Sequence, residues 1–169
     1  MKGLLGFLRR RKEDRGVMAD LRCALVDSKR QRAWPYLAAF EGIGDNPKAL
    51  AVQAIAGLFA THPKESTDQQ YDFGALCRRF CTKEELEKIT KAEGVGPVTR
   101  RFQHLLAADG EEIFTRAARF VLRAKAEDLP VNYESLSKDL LDWQSRPDAV
   151  RTRWAKSFWA PEAETEEAS

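Results

Sequence analysis

The sequence lacks the residues and motifs on which most catalytic and metal sites depend. It contains two histidines, His62 and His104, in 169 residues. The Walker phosphate-binding motif, the H-E-x-x-H zinc motif, the G-x-S-x-G nucleophile motif and the C-x-x-C pair are all missing. Because each of these chemistries leaves a characteristic spacing, the sequence favours a protein that is not an enzyme and that uses no cofactor.

Cysteine is also too scarce for a disulfide framework or a structural zinc site. Cys23, Cys77 and Cys81 are odd in number and lie within apolar, helix-like patterns, so we expect reduced thiols in the core. Cys77 and Cys81 are four residues apart and could supply two thiolates. A structural zinc site needs about four ligands, however, and no second pair exists.

Long hydrophobic runs are missing as well. No segment approaches the roughly 20 consecutive apolar residues that span a bilayer. The short apolar run at residues 1–8 is followed by four basic residues rather than by a small-residue cleavage site, which is not the pattern of a secretory signal. We therefore expect a cytoplasmic protein.

β-branched aliphatic residues are few, which leaves little material for a sheet. Valine and isoleucine together number 12, whereas alanine and leucine, both strong helix formers, number 40. The patterning predicts an all-α globular bundle of eight or nine short helices, arranged either as one bundle or as two packed sub-bundles. No repeat of 30 to 50 residues is visible, which argues against a solenoid.

Local signals place the main elements of this bundle. Residues 49–60, which follow Asn46 and Pro47, are apolar nearly all round and predict a central buried helix. Thr82 and Glu85 have the spacing of a capping box, and the polar residues 61–71 predict a surface loop. We divide the chain into a flexible basic tail at residues 1–14, a helical domain at residues 15–159, and a disordered acidic tail at residues 160–169.

The formal net charge of +2 conceals an uneven distribution. Residues 1–32 contain ten basic and four acidic side chains, a balance of +6, whereas residues 160–169 contain four glutamates and no base. A basic body behind an acidic tail indicates a polyanionic partner.

Basic residues repeat along one face of the predicted helix that begins near residue 113. They are Arg116, Arg119, Arg123 and Lys125, joined by Arg100 and Arg101 on the preceding helix. Solvated helices usually interleave acids with such bases, but residues 113–125 contain none. Arginine donates paired hydrogen bonds to phosphate, so we predict a site that binds a nucleic-acid backbone without reading its sequence.

A second candidate patch lies near the start of the chain, where Arg22, Lys29, Arg30 and Arg32 follow one another. Arg15, Arg22 and Lys29 are seven residues apart, so Lys29 could extend one basic helical line. For both patches the alternative is an ordinary solvated outer face, which every helical bundle has. The tryptophans fall mostly at core positions, so we predict no exposed aromatic surface for base stacking.

Seven segments together resemble the CasB family, the small subunit of the type I-E CRISPR surveillance complex called Cascade. They are RG with ADLR within 15–22, AW with LA within 33–38, LFATHP at 58–63, RRF with LLAAD within 100–109, LPVNY at 129–133, LLDW at 140–143 and RWAK with FW within 153–159. They occur in family order across most of the chain. Two positions depart from the family pattern: Cys23 stands beside Arg22 where a second base is expected, and Gly110 stands where arginine is frequent.

The resemblance implies a non-catalytic, all-helical subunit that pairs with a second copy beside the backbone and large subunits of the complex. It implies contacts with CRISPR RNA and with the non-target DNA strand that is displaced when the guide pairs with its target. The matching basic positions are Arg22, Arg100, Arg101, Arg116 and Arg119.

Two other functions remain open from the residues alone. The main alternative is a purely structural helical adaptor whose arginines meet acidic protein partners. A helix-turn-helix regulator ranks last, because no predicted helix presents asparagine or glutamine near its start for reading bases.

Overall fold

The computed structural model describes residues 2–161, except for the side chain of Lys2. It contains ten α-helices, and three short 3-10 segments lie at Cys23–Leu25, Asp27–Arg32 and Ala38–Phe40. The α-helices are α1 (Lys2–Arg11), α2 (Arg15–Arg22), α3 (Trp34–Leu37), α4 (Pro47–Thr61), α5 (Phe73–Arg78), α6 (Lys83–Lys91), α7 (Pro97–Leu106), α8 (Glu112–Ala126), α9 (Tyr133–Asp142) and α10 (Pro147–Trp159). Within these residues there is no β-strand, so the all-α prediction is confirmed.

Side-chain caps fix where five of the ten α-helices begin. Asp14, Asn46, Asp72, Thr82 and Asn132 each accept a hydrogen bond from the backbone N–H three residues later, which satisfies a donor that has no partner inside the helix. Helices α4, α7 and α10 begin at proline, whose missing N–H costs nothing at that position.

Helix α4 is the centre of the fold, as the sequence predicted. Its residues from Ala49 to Ala60 are all buried, and α1, α2, α8 and α9 pack around it. The buried apolar side chains form one continuous cluster that extends from Leu4 to Phe158. The described residues therefore share a single core rather than two sub-bundle cores.

The prediction of a flexible basic tail at residues 1–14 is wrong for α1. Leu4, Leu5 and Leu8 lie on one face of this helix and are at most 1% exposed, because they pack into the common core. Arg9, which lies in the predicted tail, forms ion pairs with Glu65 at 2.8 Å and Glu134 at 3.1 Å. Burial of these leucines and the ion pairs of Arg9 offset part of the conformational entropy that is lost when this short helix becomes ordered. The acidic residues 162–169 lie outside the described part of the chain.

Helices α5 and α10 cross at very short range, and a glycine makes the crossing possible. A Cβ atom at Gly74 would lie 2.2 Å from the carbonyl oxygen of Trp154. Below this crossing the buried carboxylate of Asp139 accepts hydrogen bonds from Arg153 and from the indole of Trp154. Burial raises the pKa of Asp139, and these two hydrogen bonds oppose that effect.

The polar loop at residues 61–71 is tied to the segment before α9. Ser66 and Val131 donate backbone hydrogen bonds to Val131 and Lys64 respectively, and the ring nitrogen Nε2 of the buried His62 lies 2.6 Å from the carbonyl oxygen of Leu129. None of the helices within residues 2–161 is long and apolar enough to cross a membrane.

Candidate nucleic-acid interface

Helix α8 buries one face and offers an adjacent stripe of arginines. Ile113, Ala117, Phe120, Val121 and Ala124 are buried at the spacing of one helical face. Arg116, Arg119 and Arg123 follow the same spacing beside that face. Helix α7 packs alongside and contributes Arg101 and His104.

The two helices enclose a cavity of about 330 Å³ that is lined by arginine. Its lining residues are Arg101, His104, Arg116, Arg119, Phe120 and Arg123. The structure thus brings together four of the six arginines and lysines that the sequence assigned to this patch. Arg100 and Lys125 are exposed on the same two helices but do not line the cavity.

Arg116 and Arg123 are already paired with carboxylates. Arg116 lies 3.0 Å from Glu112, and Arg123 lies 2.8 Å from Glu127, so each arginine has its acid one helical turn away. The prediction of an acid-free stripe is therefore misleading. Residues 113–125 contain no acid, but the flanking positions do, and an i to i+4 pair crosses that boundary.

Further contacts hold these two arginines as parts of the cavity wall. Arg116 donates a hydrogen bond of 2.7 Å to the carbonyl oxygen of His104 on α7. The guanidinium of Arg123 stacks 4.7 Å from the ring centre of Phe80 and donates to the Phe80 carbonyl oxygen. Both side chains are consequently held against neighbouring groups, and each has a carboxylate partner, although Nη1 of Arg123 is buried without a hydrogen-bond partner.

Arg101 and Arg119 differ from this pair. Both residues are exposed, and neither has a hydrogen bond or ion pair with another residue in the described part of the chain. They lie at the solvent-facing rim of the cavity, one on each helix. Among the arginines that line the cavity, these two carry the positive charge that is free to meet an external anion.

The second predicted patch does not join this cavity. Helix α2 ends at Arg22, and Lys29 lies in a separate 3-10 segment, so the predicted basic line through Arg15, Arg22 and Lys29 does not form. Arg22 donates a hydrogen bond to the carbonyl oxygen of Ala60, and Arg32 is paired with Asp20 at 2.8 Å. Lys29 is exposed and Arg30 is half-buried.

The thiols are core residues rather than ligands. Cys77 is fully buried, and burial raises the pKa of its thiol; burial also raises the pKa of the half-buried Cys81 to about 11. Both groups are protonated near neutrality, whereas metal binding requires thiolate. Residues 2–161 contain no group of three or more histidine, cysteine, aspartate or glutamate side chains that could hold a metal ion.

Sequence reasoning did not assign two of the cavity's lining residues, His104 and Phe120, to the site. Phe120 was assigned to the core, and it is indeed 6% exposed, but its ring also borders the cavity between Arg119 and Arg123. Helical periodicity separates buried from exposed positions, but it does not identify a side chain that lies at the boundary between the core and a surface cavity. The packing of α7 against α8 decides such a position.

A sequence model of the family described as CRISPR-associated protein Cse2 matches residues 17–159. The CRISPR-associated protein Cse2 of Thermus thermophilus is 29% identical over 138 residues, which cover 80% of this chain and 73% of that protein. The crystal structure of CasB from Thermus thermophilus has a TM-score of 0.72 at 22% identity and covers 94% of this chain and 96% of that one. For CasB of M. ruber the TM-score is 0.70 at 21% identity, with 99% and 96% covered.

Proposed function

The chain belongs to the CRISPR-associated Cse2 family, and we propose that it acts as a non-catalytic subunit that binds nucleic acid within an RNA-guided surveillance complex. The family resemblance noted in the sequence is confirmed by this membership. The observation that carries the proposed activity is the cavity between α7 and α8, with its two unpaired arginines at the rim.

The proposed contacts are with phosphate groups. An arginine fork donates two hydrogen bonds to phosphate oxygens and keeps its charge at any physiological pH. Arg101 and Arg119 supply such forks from adjacent helices, and Arg100 and Lys125 extend the positive surface on either side. Contacts of this kind position a strand without reading its sequence.

The proposed role is to hold the displaced non-target DNA strand and to support the CRISPR RNA. Exchange of a DNA duplex for an RNA–DNA duplex is nearly balanced in free energy. A few phosphate contacts with the displaced strand therefore suffice to shift the balance toward the open R-loop. The partners in this role are the backbone and large subunits and a second copy of the chain, and the compartment is the cytoplasm.

The lifetime of the R-loop in an assembled complex tests this role. We expect a double variant, Arg101→Glu with Arg119→Glu, to shorten the lifetime because it replaces two free cations with anions at the site. The charge-matched control is Arg10→Glu with Lys12→Glu, since both residues are exposed and lie outside the cavity. An unchanged lifetime in the first variant, with the complex still assembled, would refute the site.

The structural adaptor is the second candidate, and one observation favours it. Arg116 and Arg123 already bind carboxylates, so this surface is chemically suited to acidic protein side chains. An adaptor would lose partner binding in the Arg101 and Arg119 variant and would show no affinity for single-stranded DNA in isolation.

A further inference from the structure

We infer that the cavity between α7 and α8 receives one unpaired base of a single strand while Arg101 and Arg119 hold the flanking phosphates. This inference rests on the function proposed above and adds a specific ligand to it. Backbone binding alone requires a charged surface and no cavity. The half-open cavity that Arg101 and Arg119 help to line is the feature that backbone binding alone does not explain.

The size of the cavity limits what can enter. Its volume of about 330 Å³ lies at the lower end of the range for small-ligand pockets. A space of this size accommodates a single base and is too small for a length of strand.

The floor of the cavity is aromatic and rigid. Phe120 borders the space, and its ring is supported from behind by Phe80 and Phe73, with ring centres 6.0 Å and 6.2 Å away. An aromatic ring that is fixed in this way offers an apolar contact to a base at little cost in conformational entropy.

Two arginines that line the cavity, Arg116 and Arg123, are also suited to stack on the face of a base. The side chains of Arg116 and Arg123 are held by Glu112, Glu127 and the carbonyl oxygens of His104 and Phe80. An arginine in which the charge is already paired contributes a flat guanidinium and an aliphatic stem, and guanidinium planes are a recurrent stacking surface for unpaired bases.

The rim completes the site. Arg101 on α7 and Arg119 on α8 are exposed, line the cavity, and have no partner among the described residues. A nucleotide that places its base inside the cavity leaves its two adjoining phosphates outside, where these arginines lie. A base within a duplex is stacked and paired and cannot enter, so the site selects single strands.

Abasic oligonucleotides test the inference directly, because they keep every phosphate and lack the bases. We expect the full-length chain to bind an abasic single strand about fivefold or more weakly than a normal one of equal length, with the same salt dependence. DNA and RNA strands should both show the difference. Equal affinity for normal and abasic strands would overturn the base site and leave the phosphate contacts intact, whereas a lack of binding to either strand would overturn the proposed function itself.

The position of the base is tested by photocrosslinking. A strand that carries 5-iodouracil should crosslink to the segment that contains Phe120, as identified by mass spectrometry of the digested adduct. A crosslink confined to another segment would overturn the assignment to this cavity. A mononucleotide that binds as tightly as a strand would also overturn it, since the occupant would then be a free nucleotide.

Discussion

At the scale of single residues, the arginines of α7 and α8 have two different roles. Arg116 and Arg123 are linked to carboxylates and carbonyl groups and brace the helices against each other. Arg101 and Arg119 have no such contacts in the described part of the chain and are available to an external anion. The sequence shows four equivalent cations, and the folded structure separates them.

This separation predicts different effects for two similar substitutions. Arg119→Gln should weaken binding to single-stranded DNA and reduce the log–log salt slope by about 1, because one phosphate contact is lost, while the melting temperature stays unchanged. Arg116→Gln should leave the slope unchanged and lower the free energy of unfolding by about 1 kcal/mol, because it removes partly buried hydrogen bonds. The reverse pattern in titrations and melting curves would contradict the division of roles.

At the scale of helices, one glutamate connects two elements that the sequence treats separately. Only one of the two hydrogen bonds of the predicted capping box forms. The Thr82 hydroxyl accepts from the N–H of Glu85, but the Glu85 carboxylate does not accept from the N–H of Thr82. It accepts hydrogen bonds from the N–H groups of Val98 and Thr99 and from the Thr99 hydroxyl. Helix α7 begins after Gly96, which has no side chain to cap it, so Glu85 does so from the neighbouring helix.

Glu85→Ala should therefore destabilise the protein by about 1–3 kcal/mol, because buried donors at the start of α7 lose their acceptor. Glu84→Ala is the matched control, since Glu84 is an exposed acid in the same first turn and should cost less than about 0.5 kcal/mol. Urea unfolding followed by circular dichroism measures both. Equal losses for the two variants would show that Glu85 acts through the helix dipole alone.

The helices of residues 15–159 could be predicted from sequence because their signals are local. Asn46, Asp72 and Asn132 cap the helices that follow them, and the apolar pattern of α4 matches its burial on all sides. The contact of Glu85 with α7 could not be predicted, because the same spacing of Thr82 and Glu85 permits a local bond. Helix α1 was not predicted, because the basic residues at positions 9–12 indicated a solvent-exposed tail, whereas the leucines at positions 4, 5 and 8 form only a short apolar pattern.

The arginine cavity could be predicted only in part, because some of its features depend on contacts between helices rather than on local sequence signals. Periodicity placed Arg116, Arg119 and Arg123 on one face, and the short turn between the helices brought Arg101 near them. The pairing of Arg116 and Arg123 was not predicted, because their partners Glu112 and Glu127 lie just outside the acid-free residues 113–125. The place of Phe120 at the cavity depends on how closely α7 approaches α8, which no local pattern records.

At the scale of the whole molecule, the N-terminal helix is part of the core although the family match begins at residue 17. Its three leucines are buried, Phe7 contacts Phe40 with ring centres 5.6 Å apart, and Arg9 links it to Glu65 and Glu134. Part of the positive charge near the start of the chain is thus paired with glutamates of the folded domain. We therefore expect the proposed polyanion binding to depend on α7 and α8 more than the charge balance of the sequence indicated.

Leu8→Ala should lower the free energy of unfolding by about 2–5 kcal/mol, the range for deleting a fully buried leucine side chain. Lys12→Ala is the control, because Lys12 is exposed beyond the end of the helix and should have almost no effect. Both values come from urea unfolding curves. A negligible effect of Leu8→Ala would show that α1 does not contribute to the core in solution.

The central claim is that the free arginines of the α7–α8 cavity bind the phosphates of a single strand. The most direct measurement is the affinity of the full-length chain for single-stranded DNA between about 50 mM and 200 mM salt. We predict that log K falls steeply with log salt, and that the slope becomes shallower when Arg101 and Arg119 are both replaced by glutamine. A flat slope, or no binding at the lower salt concentration, would contradict the account.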